Sequence, residues 1–358
     1  MIKDYGGIQD LKFYISEFKP DSVLLIHGKN SYETSGAKDA IAPYLTKLDT
    51  IQWSDFKSNP QYSDMLKGAA LVKQKQIDLI VAIGGGSAID MGKLLSVYER
   101  EKEIPVIAIP TTAGTGSEAT QFAVLWKEGE KNSIDDIRLL PKRSILEPRF
   151  LKKQSKQSAA SPLMDALAQG IESYWSINST GESKEYARKA IGLIIPTIKN
   201  GNLSDDDYCA RMQGAHYAGK AINITRTTAA HSVSYAFTAY KNIAHGHAVM
   251  LTLPQFVKFN SEAGQSDCLD RRGFEYVRKT INETAEMFDC LSVDDVVKKL
   301  QDFMDILGLE RKLKNLGFSN EKDFQYIIDN GFNPQRVKNN PRLLTKESLN
   351  NILKSAVD

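Results

Sequence analysis

Residues 79–87, LIVAIGGGS, join a continuously apolar run to three glycines and a serine. Five apolar residues without alternation predict a strand that is covered on both faces, as in a parallel sheet. Ligands of parallel sheets bind beyond the carboxyl ends of the strands, which is where these glycines fall. This stretch therefore predicts an α/β fold with a ligand-binding turn directly after the strand.

The same pattern recurs before and after this stretch. Residues 22–26 (SVLLI) run into HGK, and residues 104–109 (IPVIAI) run into PTTAGTGS. Another short strand is predicted at 51–53, with helices from about residue 35 and over residues 62–75. Strands that alternate with helices indicate a parallel sheet.

The GGGS turn is a candidate phosphate site. Without Cβ atoms its backbone N–H groups can approach an anion closely, and a helix predicted from about Ala88 adds its positive end. A purely structural role stays open, since a tight turn needs glycine anyway and since Ser87 and Asp90 have the spacing of a capping box. The spacing is not GxGxxG, and no acidic residue follows at the expected offset of ~20 residues. A dinucleotide would therefore bind through a different motif.

The sequence changes in character from about residue 158, where glycine-rich strand ends give way to amphipathic stretches. These stretches lie at residues 164–175, 183–194, 205–222 and 228–239. We therefore predict an α/β domain over residues 1–157 and an all-helical domain over residues 158–358. A chain of 358 residues suits two domains, because single cores seldom grow past ~250–300 residues.

The composition is that of an ordinary globular protein, with 42% hydrophobic and 25% charged residues. A formal net charge of +2 gives no reason to expect nucleic acid or an acidic membrane as a partner. Cys209, Cys268 and Cys290 have no CxxC spacing, which favours a reducing compartment over disulfides or a thiolate zinc site. No apolar run approaches the ~20 residues of a membrane span, so we expect a cytoplasmic protein.

Three of the five histidines fall within residues 231–247. Imidazole is a common ligand of transition metals and a common proton carrier near neutral pH. A pair of structural histidines with loop hydrogen bonds is the alternative.

Asp165 lies in a largely apolar predicted helix, where it shares a face with Gln169 four residues later. A buried carboxylate needs a partner, which could be a helix end, a salt bridge or a metal ion. Asp165, His231 and His245 together would suit a divalent ion such as Fe²⁺ or Zn²⁺ that acts as a Lewis acid.

Four motifs resemble the iron-containing (group III) alcohol dehydrogenase family, in the same order and over nearly the whole chain. They are GGGSAIDMGK (84–93), IPTTAGTGSEAT (109–120), MDALAQGIESY (164–174), and AAHSVSYAFT with AHGHAV (229–249). The resemblance implies a dehydroquinate synthase-like architecture, with a nicotinamide-binding α/β domain, a helical domain, and metal and substrate between them. It also implies alcohol oxidation or aldehyde reduction by a homodimer or larger homo-oligomer.

The resemblance implies a set of metal ligands. The family's aspartate falls on Asp165, and two of its histidines fall on His231 and His245. A further histidine ligand falls on Gln169, whose amide oxygen is a weaker ligand than imidazole, so we expect weaker metal binding. Another family histidine falls on Tyr235, which together with His247 is a candidate proton relay.

The resemblance places the cofactor on the two glycine-rich turns and on the end of the first strand. The implied cofactor-binding residues are Gly28, Lys29, Ser31, Gly84, Gly85, Gly86, Ser87, Asp90, Thr111, Thr112 and Ser117. An aspartate at the end of the first strand would bind the 2′-hydroxyl of NAD and repel the 2′-phosphate of NADP. Gly28, followed by Lys29 and with Ser31 nearby, instead favours NADPH.

Several phrases resemble the phosphonoacetaldehyde reductases of this family, namely MDALAQGIESYWSINSTGES, AGKAINITRTTAAHSVSY, HGHAVMLTLP and NPQRVKNNP. They imply reduction of phosphonoacetaldehyde to 2-hydroxyethylphosphonate. Arg226 and Arg336 are candidates for binding the phosphonate, although either could form a surface salt bridge instead.

Three further functions stay open. One is that of a dehydrogenase for another small or sugar-derived alcohol or aldehyde. Another is that of a lyase or cyclase of the dehydroquinate synthase type, which uses its cofactor transiently and consumes no NADPH overall. The third is that of a metal-free binding protein, because Gln169 replaces a histidine ligand.

Overall fold

The computed structural model describes residues 5–318, 320–332 and 334–357. The chain divides into two compact units, Met1–Gln154 with Ser204–Gly219 and Ser155–Leu203 with Lys220–Asp358. We name them the α/β unit and the helical unit. No feature of the sequence had indicated that residues 204–219 group with the α/β unit. The predicted boundary between residues 157 and 158 stays a prediction of where the domains divide.

The α/β unit is built on a five-stranded parallel sheet. The strands of this unit are β1 (Ser22–His27), β2 (Asp49–Trp53), β3 (Leu79–Gly84), β4 (Val106–Pro110), β5 (Phe122–Lys127), β6 (Glu130–Asp135) and β7 (Arg143–Ser144). The sheet has the order β2-β1-β3-β4-β7, and its neighbouring strands are parallel. The order changes direction between β1 and β3, and ligands of such sheets bind at that point.

Buried apolar side chains cover both faces of this sheet, as the unbroken apolar runs predicted. Leu24 and Ile80 belong to one buried cluster, whereas Val23 and Val81 belong to another. Successive residues of a strand point to opposite faces, so these clusters are the two layers beneath the helices. The helices are α1 (Leu11–Phe18), α2 (Ser31–Thr34), α3 (Ala37–Leu45), α4 (Tyr62–Gln74) and α5 (Gly86–Val97).

Helix α5 begins at Gly86, two residues before the predicted start at Ala88, and its N-cap is Gly85. The capping box that Ser87 and Asp90 would form is therefore not present, because both residues already lie inside the helix. The earlier start places the N–H groups of Gly86 and Ser87 in the first turn, where helical N–H groups have no partner within the helix.

Strands β5 and β6 form an antiparallel hairpin that the sequence pattern did not predict. Glu128 and Gly129 join them, with φ angles of 54° and 83°. Two positive φ angles in a two-residue connection are the mark of the tight hairpin turn whose twist matches its strands.

The helical unit accounts for the second half of the predicted fold. Together with the first part of α8, its helices are α6 (Lys156–Trp175), α7 (Gly181–Ile198), α8 (Asp205–Thr225), α9 (Ala229–Lys241), α10 (His245–Met250), α11 (Leu253–Ser261), α12 (Phe274–Met287), α13 (Val293–Ile306), α14 (Glu321–Gly331), α15 (Pro334–Val337) and α16 (Lys346–Ser355). Residues 205–219 of α8 group with the α/β unit. The predicted fold class, a parallel-sheet part followed by a helical part, is confirmed. Among the helices described, none has both the length and the apolar content needed to cross a membrane.

Candidate active site

Helix α6 carries several polar residues along one buried face. Ser155 caps its first turn, and residues 163–175 are all buried. Asp165, Gln169 and Glu172 follow one another at spacings of four and three, which places them on the same side of the helix. Polar groups buried in this way need hydrogen-bond or ionic partners.

Two further helices bring histidines to Asp165. His231, in the first turn of α9, has its Nε2 atom 3.2 Å from Asp165 Oδ1. His245, at the start of α10, has its Nε2 atom 4.0 Å from the same oxygen. The two imidazole rings are 5.5 Å apart at an angle of 71°. One ligand atom from each of the three residues lies within 4.8 Å of the other two, so they can share one ion.

Gly246 makes the close approach of α10 to α6 possible. A Cβ atom at this position would lie 2.0 Å from the carbonyl oxygen of Ser161 and 2.8 Å from the Cβ atom of Asp165. Any larger residue would push α10 away, because packed helices cannot absorb such an overlap. The glycine between His245 and His247 therefore keeps His245 next to Asp165.

Gln169 lies one helical turn after Asp165 and is also buried. Its side-chain amide contributes to lowering the pKa of the Asp165 carboxyl. The structure thus places an amide beside the cluster, where the family resemblance implies a third imidazole.

The electrostatics of the cluster favour positive charge at its centre. Burial raises the pKa of Asp165, but the hydrogen bond from His231 and the charge of His245 outweigh this effect and lower it. Burial lowers the pKa of His231, but the charge of Glu172 and the hydrogen bonds with Asp165 and Glu172 outweigh this effect and raise it to about 9. The residues around His231 therefore stabilise a cation.

The donor set fits a divalent metal ion. One carboxylate and two imidazoles are ligands that Fe²⁺ and Zn²⁺ accept, and three protein ligands leave a position open for substrate. The environment that stabilises a proton on His231 also stabilises such an ion, because both are positive charges in a buried site.

Glu172 is a residue of the site that was not predicted from the sequence. It lies on α6 seven residues after Asp165, and its carboxylate contacts the Nδ1 atom of His231. Its spacing was the available signal, since seven residues are two helical turns and place both carboxylates on one face.

Tyr235 and Arg336 extend the site beyond His245. The rings of Tyr235 and His245 are parallel within 3°, with centroids 5.4 Å apart. The guanidinium carbon of Arg336 lies 4.8 Å from the centroid of the Tyr235 ring, and Nη1 donates a hydrogen bond to Thr227 Oγ1 at 2.9 Å. The Arg336 guanidinium and the His245 imidazole therefore both lie against the ring of Tyr235.

The other two predicted residues of this region have different surroundings. Arg226 has a positive φ of 64° at the end of α8, and its Nη1 donates to the carbonyl oxygen of Asn223 at 2.9 Å. His247 donates through Nε2 to the carbonyl oxygen of Glu310 at 2.6 Å. These contacts hold both side chains against nearby backbone.

The predicted cofactor residues of the α/β unit lie at the carboxyl ends of β1, β3 and β4. Gly28 follows β1, and its N–H donates to the Ile83 carbonyl oxygen at 3.2 Å. The GGGS turn packs against the second glycine-rich turn, because a Cβ atom on Gly86 would lie 2.8 Å from Thr115 Oγ1. The buried Thr111 is joined to Gly84 by its N–H, which donates at 2.9 Å.

Asp90 and Ser117 are hydrogen-bonded to each other in this unit. Asp90 also accepts from the N–H of Val124 at 3.0 Å. The fully buried ammonium of Lys93 donates to Ser117 and Thr120, at 2.9 Å and 3.2 Å respectively. These contacts fix helix α5 to the chain that follows β4.

Lys29 pairs with an acidic residue that was not predicted to belong to the cofactor site. Its Nζ atom is 3.7 Å from Oδ1 of Asp55, and both side chains are mostly exposed. Asp55 comes two residues after β2, the neighbour of β1 in the sheet. Ser31 begins α2, and its hydroxyl occupies the space that a Cβ atom on Gly28 would need.

Comparisons with known proteins agree with this architecture. The family model for "Iron-containing alcohol dehydrogenase" matches residues 1–148, and the model for "Fe-containing alcohol dehydrogenase family, C-terminal" matches residues 159–357. A phosphonoacetaldehyde reductase of Streptomyces viridochromogenes is 30% identical over 315 residues, which cover 80% of this chain and 78% of that protein. An NAD-dependent methanol dehydrogenase of Bacillus methanolicus is 25% identical over 382 residues, covering 98% and 96%. The crystal structure of an iron-containing alcohol dehydrogenase from Thermotoga maritima matches with a TM-score of 0.82 and 26% identity, covering 99% and 96%.

Fold, site and relatives define an oxidoreductase that acts on CH–OH groups with a nicotinamide cofactor. The chain belongs to the iron-containing alcohol dehydrogenase family. This family uses NAD(H) and a divalent metal, and the three-residue cluster of the helical unit is a possible site for that metal.

Proposed function

We propose that the protein reduces phosphonoacetaldehyde to 2-hydroxyethylphosphonate, with NADPH as the hydride donor. The aldehyde carbon gains a hydride from the nicotinamide, its oxygen gains a proton, and NADP⁺ leaves. The similarity to a phosphonoacetaldehyde reductase at 30% identity supports this substrate.

Asp165, His231 and His245 are the proposed metal ligands, with Gln169 beside them. A bound divalent ion would act as a Lewis acid that stabilises negative charge on the substrate oxygen. Asp165 and Glu172 supply the negative charge that balances the ion in this buried place. The buried apolar residues of α6 exclude water from one side of the cluster. The lower dielectric constant strengthens the electrostatic interactions there.

One observation carries the choice of an anionic substrate, namely the position of Arg336 on the Tyr235 ring. Its hydrogen bond to Thr227 engages one of the five N–H donors of a guanidinium. A phosphonate has three oxygens that accept such donors, and guanidinium binds them in pairs. We assign Arg336 to the phosphonate and regard Arg226 as the alternative.

Tyr235 is the proposed relay that passes a proton from water to the product oxygen, with His247 as the alternative. Burial raises the pKa of Tyr235, although the charge of Arg336 opposes this. The hydroxyl therefore keeps its proton at neutral pH and can donate it.

NADPH is the proposed cofactor because Lys29 and Ser31 lie at the end of the first strand. Asp55 favours the second candidate, NADH, since a carboxylate two residues after the neighbouring strand could repel a 2′-phosphate. The similarity to an NAD-dependent methanol dehydrogenase supports this second candidate as well.

The remaining parts of the proposal are a homodimer or larger homo-oligomer and a cytoplasmic location. The family resemblance supports the oligomer, and the three cysteines without CxxC spacing support a reducing compartment. Light scattering on the purified protein tests the first, with a monomer as the contradicting result.

An aldehyde screen tests the proposed activity. Consumption of NADPH is followed with phosphonoacetaldehyde and with uncharged aldehydes of similar size, with and without added Fe²⁺ or Zn²⁺. We expect steady consumption that is fastest with phosphonoacetaldehyde. A lyase or a binding protein would show no steady consumption, and a dehydrogenase for another substrate would prefer an uncharged aldehyde.

A further inference from the structure

Glu172 is a buried carboxylate that the proposed chemistry does not use directly. It lies two turns after Asp165 on α6 and is fully buried, with a side chain 0% exposed. A buried carboxylate is costly unless its oxygens accept hydrogen bonds. The partners of its two oxygens therefore show what it does.

One oxygen of Glu172 accepts hydrogen bonds from residues at the N-terminal end of α9. Oε1 accepts the hydroxyl of Thr228 at 2.7 Å and the N–H of Ala230 at 2.9 Å. The N–H of His231 lies 3.4 Å from the same oxygen. The Thr228 side chain makes no capping bond to its own helix, so Glu172 supplies from α6 the acceptor that first-turn N–H groups need.

The other oxygen of Glu172 faces the ring of His231. Oε2 is in contact with Nδ1, while Nε2 on the opposite side of the ring faces Asp165. A carboxylate can only accept, so it requires a proton on Nδ1. With that proton held on Nδ1 by Glu172, Nε2 is the ring nitrogen that can give up its own proton and bind a metal instead.

We infer that Glu172 is a positioning residue of the metal site, which fixes the His231 ring and keeps the Nε2 atom aimed at the cluster with Asp165 and His245. The inference rests on the proposed metal site and assigns a role to a residue that is not one of the proposed ligands. It joins two functions in one side chain, since the carboxylate that caps α9 also orients the ligand in the first turn of α9.

The substitution Glu172→Gln removes the negative charge and keeps the size and shape of the side chain. The amide oxygen of Gln would face the Thr228 hydroxyl and the two N–H groups, because those donors would clash with an NH₂ group. The NH₂ group would then face His231 Nδ1, which would have to accept. The ring proton would move to Nε2, the atom that should bind the metal.

Binding of Co²⁺ alone to the chelator-treated protein tests the inference. We expect E172Q to bind Co²⁺ about 10- to 100-fold more weakly than the wild type, the usual cost of losing such a partner. The visible spectrum of bound Co²⁺ should also change, which a loss of stability alone would not cause. T228V is the matched control, because it removes a hydrogen bond from the same oxygen and leaves the carboxylate on His231. It should lower the melting temperature and keep Co²⁺ affinity within about threefold of the wild type.

The outcomes are distinguishable from a failure of the proposed function. A wild type that binds no Co²⁺ would overturn the metal site itself. Equal affinities and spectra in wild type and E172Q would overturn the role of Glu172 and leave the metal site standing. If E172Q does not fold, E172D replaces it, since the shorter side chain withdraws the carboxylate from His231. Equal losses of affinity in E172D and T228V would then overturn the inference.

Discussion

Asp165 and His231 face each other inside the helical unit, with Oδ1 of the aspartate 3.2 Å from Nε2 of the histidine. They are 66 residues apart in the chain and belong to different helices. His245 joins them because Gly246 lets α10 approach α6. The cluster therefore results from helix packing and gives the helical unit its candidate chemistry.

Replacing Gln169 by histidine should strengthen metal binding. A third imidazole next to Asp165 adds a better ligand than the amide, and we expect Zn²⁺ affinity to rise by about tenfold or more, roughly 1.4 kcal/mol. Competition with a coloured chelator measures this affinity. Unchanged or weaker binding in Q169H, with an unchanged melting temperature, would show that residue 169 does not reach the ion.

Removing Arg336 should impair the anionic substrate selectively. Hydrogen bonds to charged groups are worth about 1.5–3 kcal/mol, so R336A should lower kcat/KM for phosphonoacetaldehyde roughly 10- to 150-fold. The kcat/KM of R336A for an uncharged aldehyde should stay within about threefold of the wild-type value. R226A is the matched control and should change this discrimination less. If R226A has the larger effect, the phosphonate is bound by Arg226 instead.

Much of the fold follows from sequence pattern, because apolar runs and glycine turns reflect local physics. The strands β1, β3 and β4 and the helical second half are examples. The hairpin of β5 and β6 was not predicted, although Glu128 and Gly129 carry its turn. The placement of residues 204–219 was not predicted either, since nothing local distinguishes an amphipathic helix that packs on one unit from one that packs on another.

The candidate site was predictable only in part, for a similar reason. The cluster residues follow from the family motifs and from the buried setting of Asp165. The seven-residue spacing between Asp165 and Glu172 is a signal in the sequence, whereas Asp55 looks like an ordinary polar residue. The partners that give these two residues a role are visible only in the structure. Contacts between residues that are far apart in the chain depend on tertiary packing, and the periodicity of the sequence does not encode them.

Lys29 follows strand β1, and Asp55 follows the neighbouring strand β2. These two residues should act in opposite directions on the choice between NADPH and NADH. K29A should lower kcat/KM with NADPH about fivefold relative to NADH, since an exposed charge contributes up to about 1 kcal/mol. D55A should shift the same ratio toward NADPH. The test is the ratio of kcat/KM values for the two cofactors in all three proteins. A wild type that uses NADH equally well or better would contradict the proposed preference.

Stability should depend on pH through the buried Lys93. Burial lowers the pKa of Lys93 to about 8, although Asp90 and Glu118 act in the opposite direction. The unfolded chain keeps the ordinary, higher lysine pKa, so it binds more protons than the folded chain between pH 8 and the unfolded value. The contribution of Lys93 to the free energy of unfolding therefore increases as the pH rises through that window.

The comparison of wild type with K93M isolates this contribution. Urea unfolding at pH 7 and at a pH above 9 gives the free energy of unfolding of each protein. The wild type should gain stability relative to K93M at the higher pH. A difference that stays constant, or that shrinks at the higher pH, would contradict the lowered pKa.

The most direct test of the proposed metal site is metal-dependent turnover in wild type and H231A. Each protein is stripped with a chelator and assayed for NADPH consumption with phosphonoacetaldehyde before and after addition of Fe²⁺ or Zn²⁺. We expect the wild type to lose its activity on stripping and to regain it with metal, whereas H231A neither binds the metal tightly nor regains activity. Full activity in H231A, or in the stripped wild type, would contradict the metal site and the mechanism that depends on it.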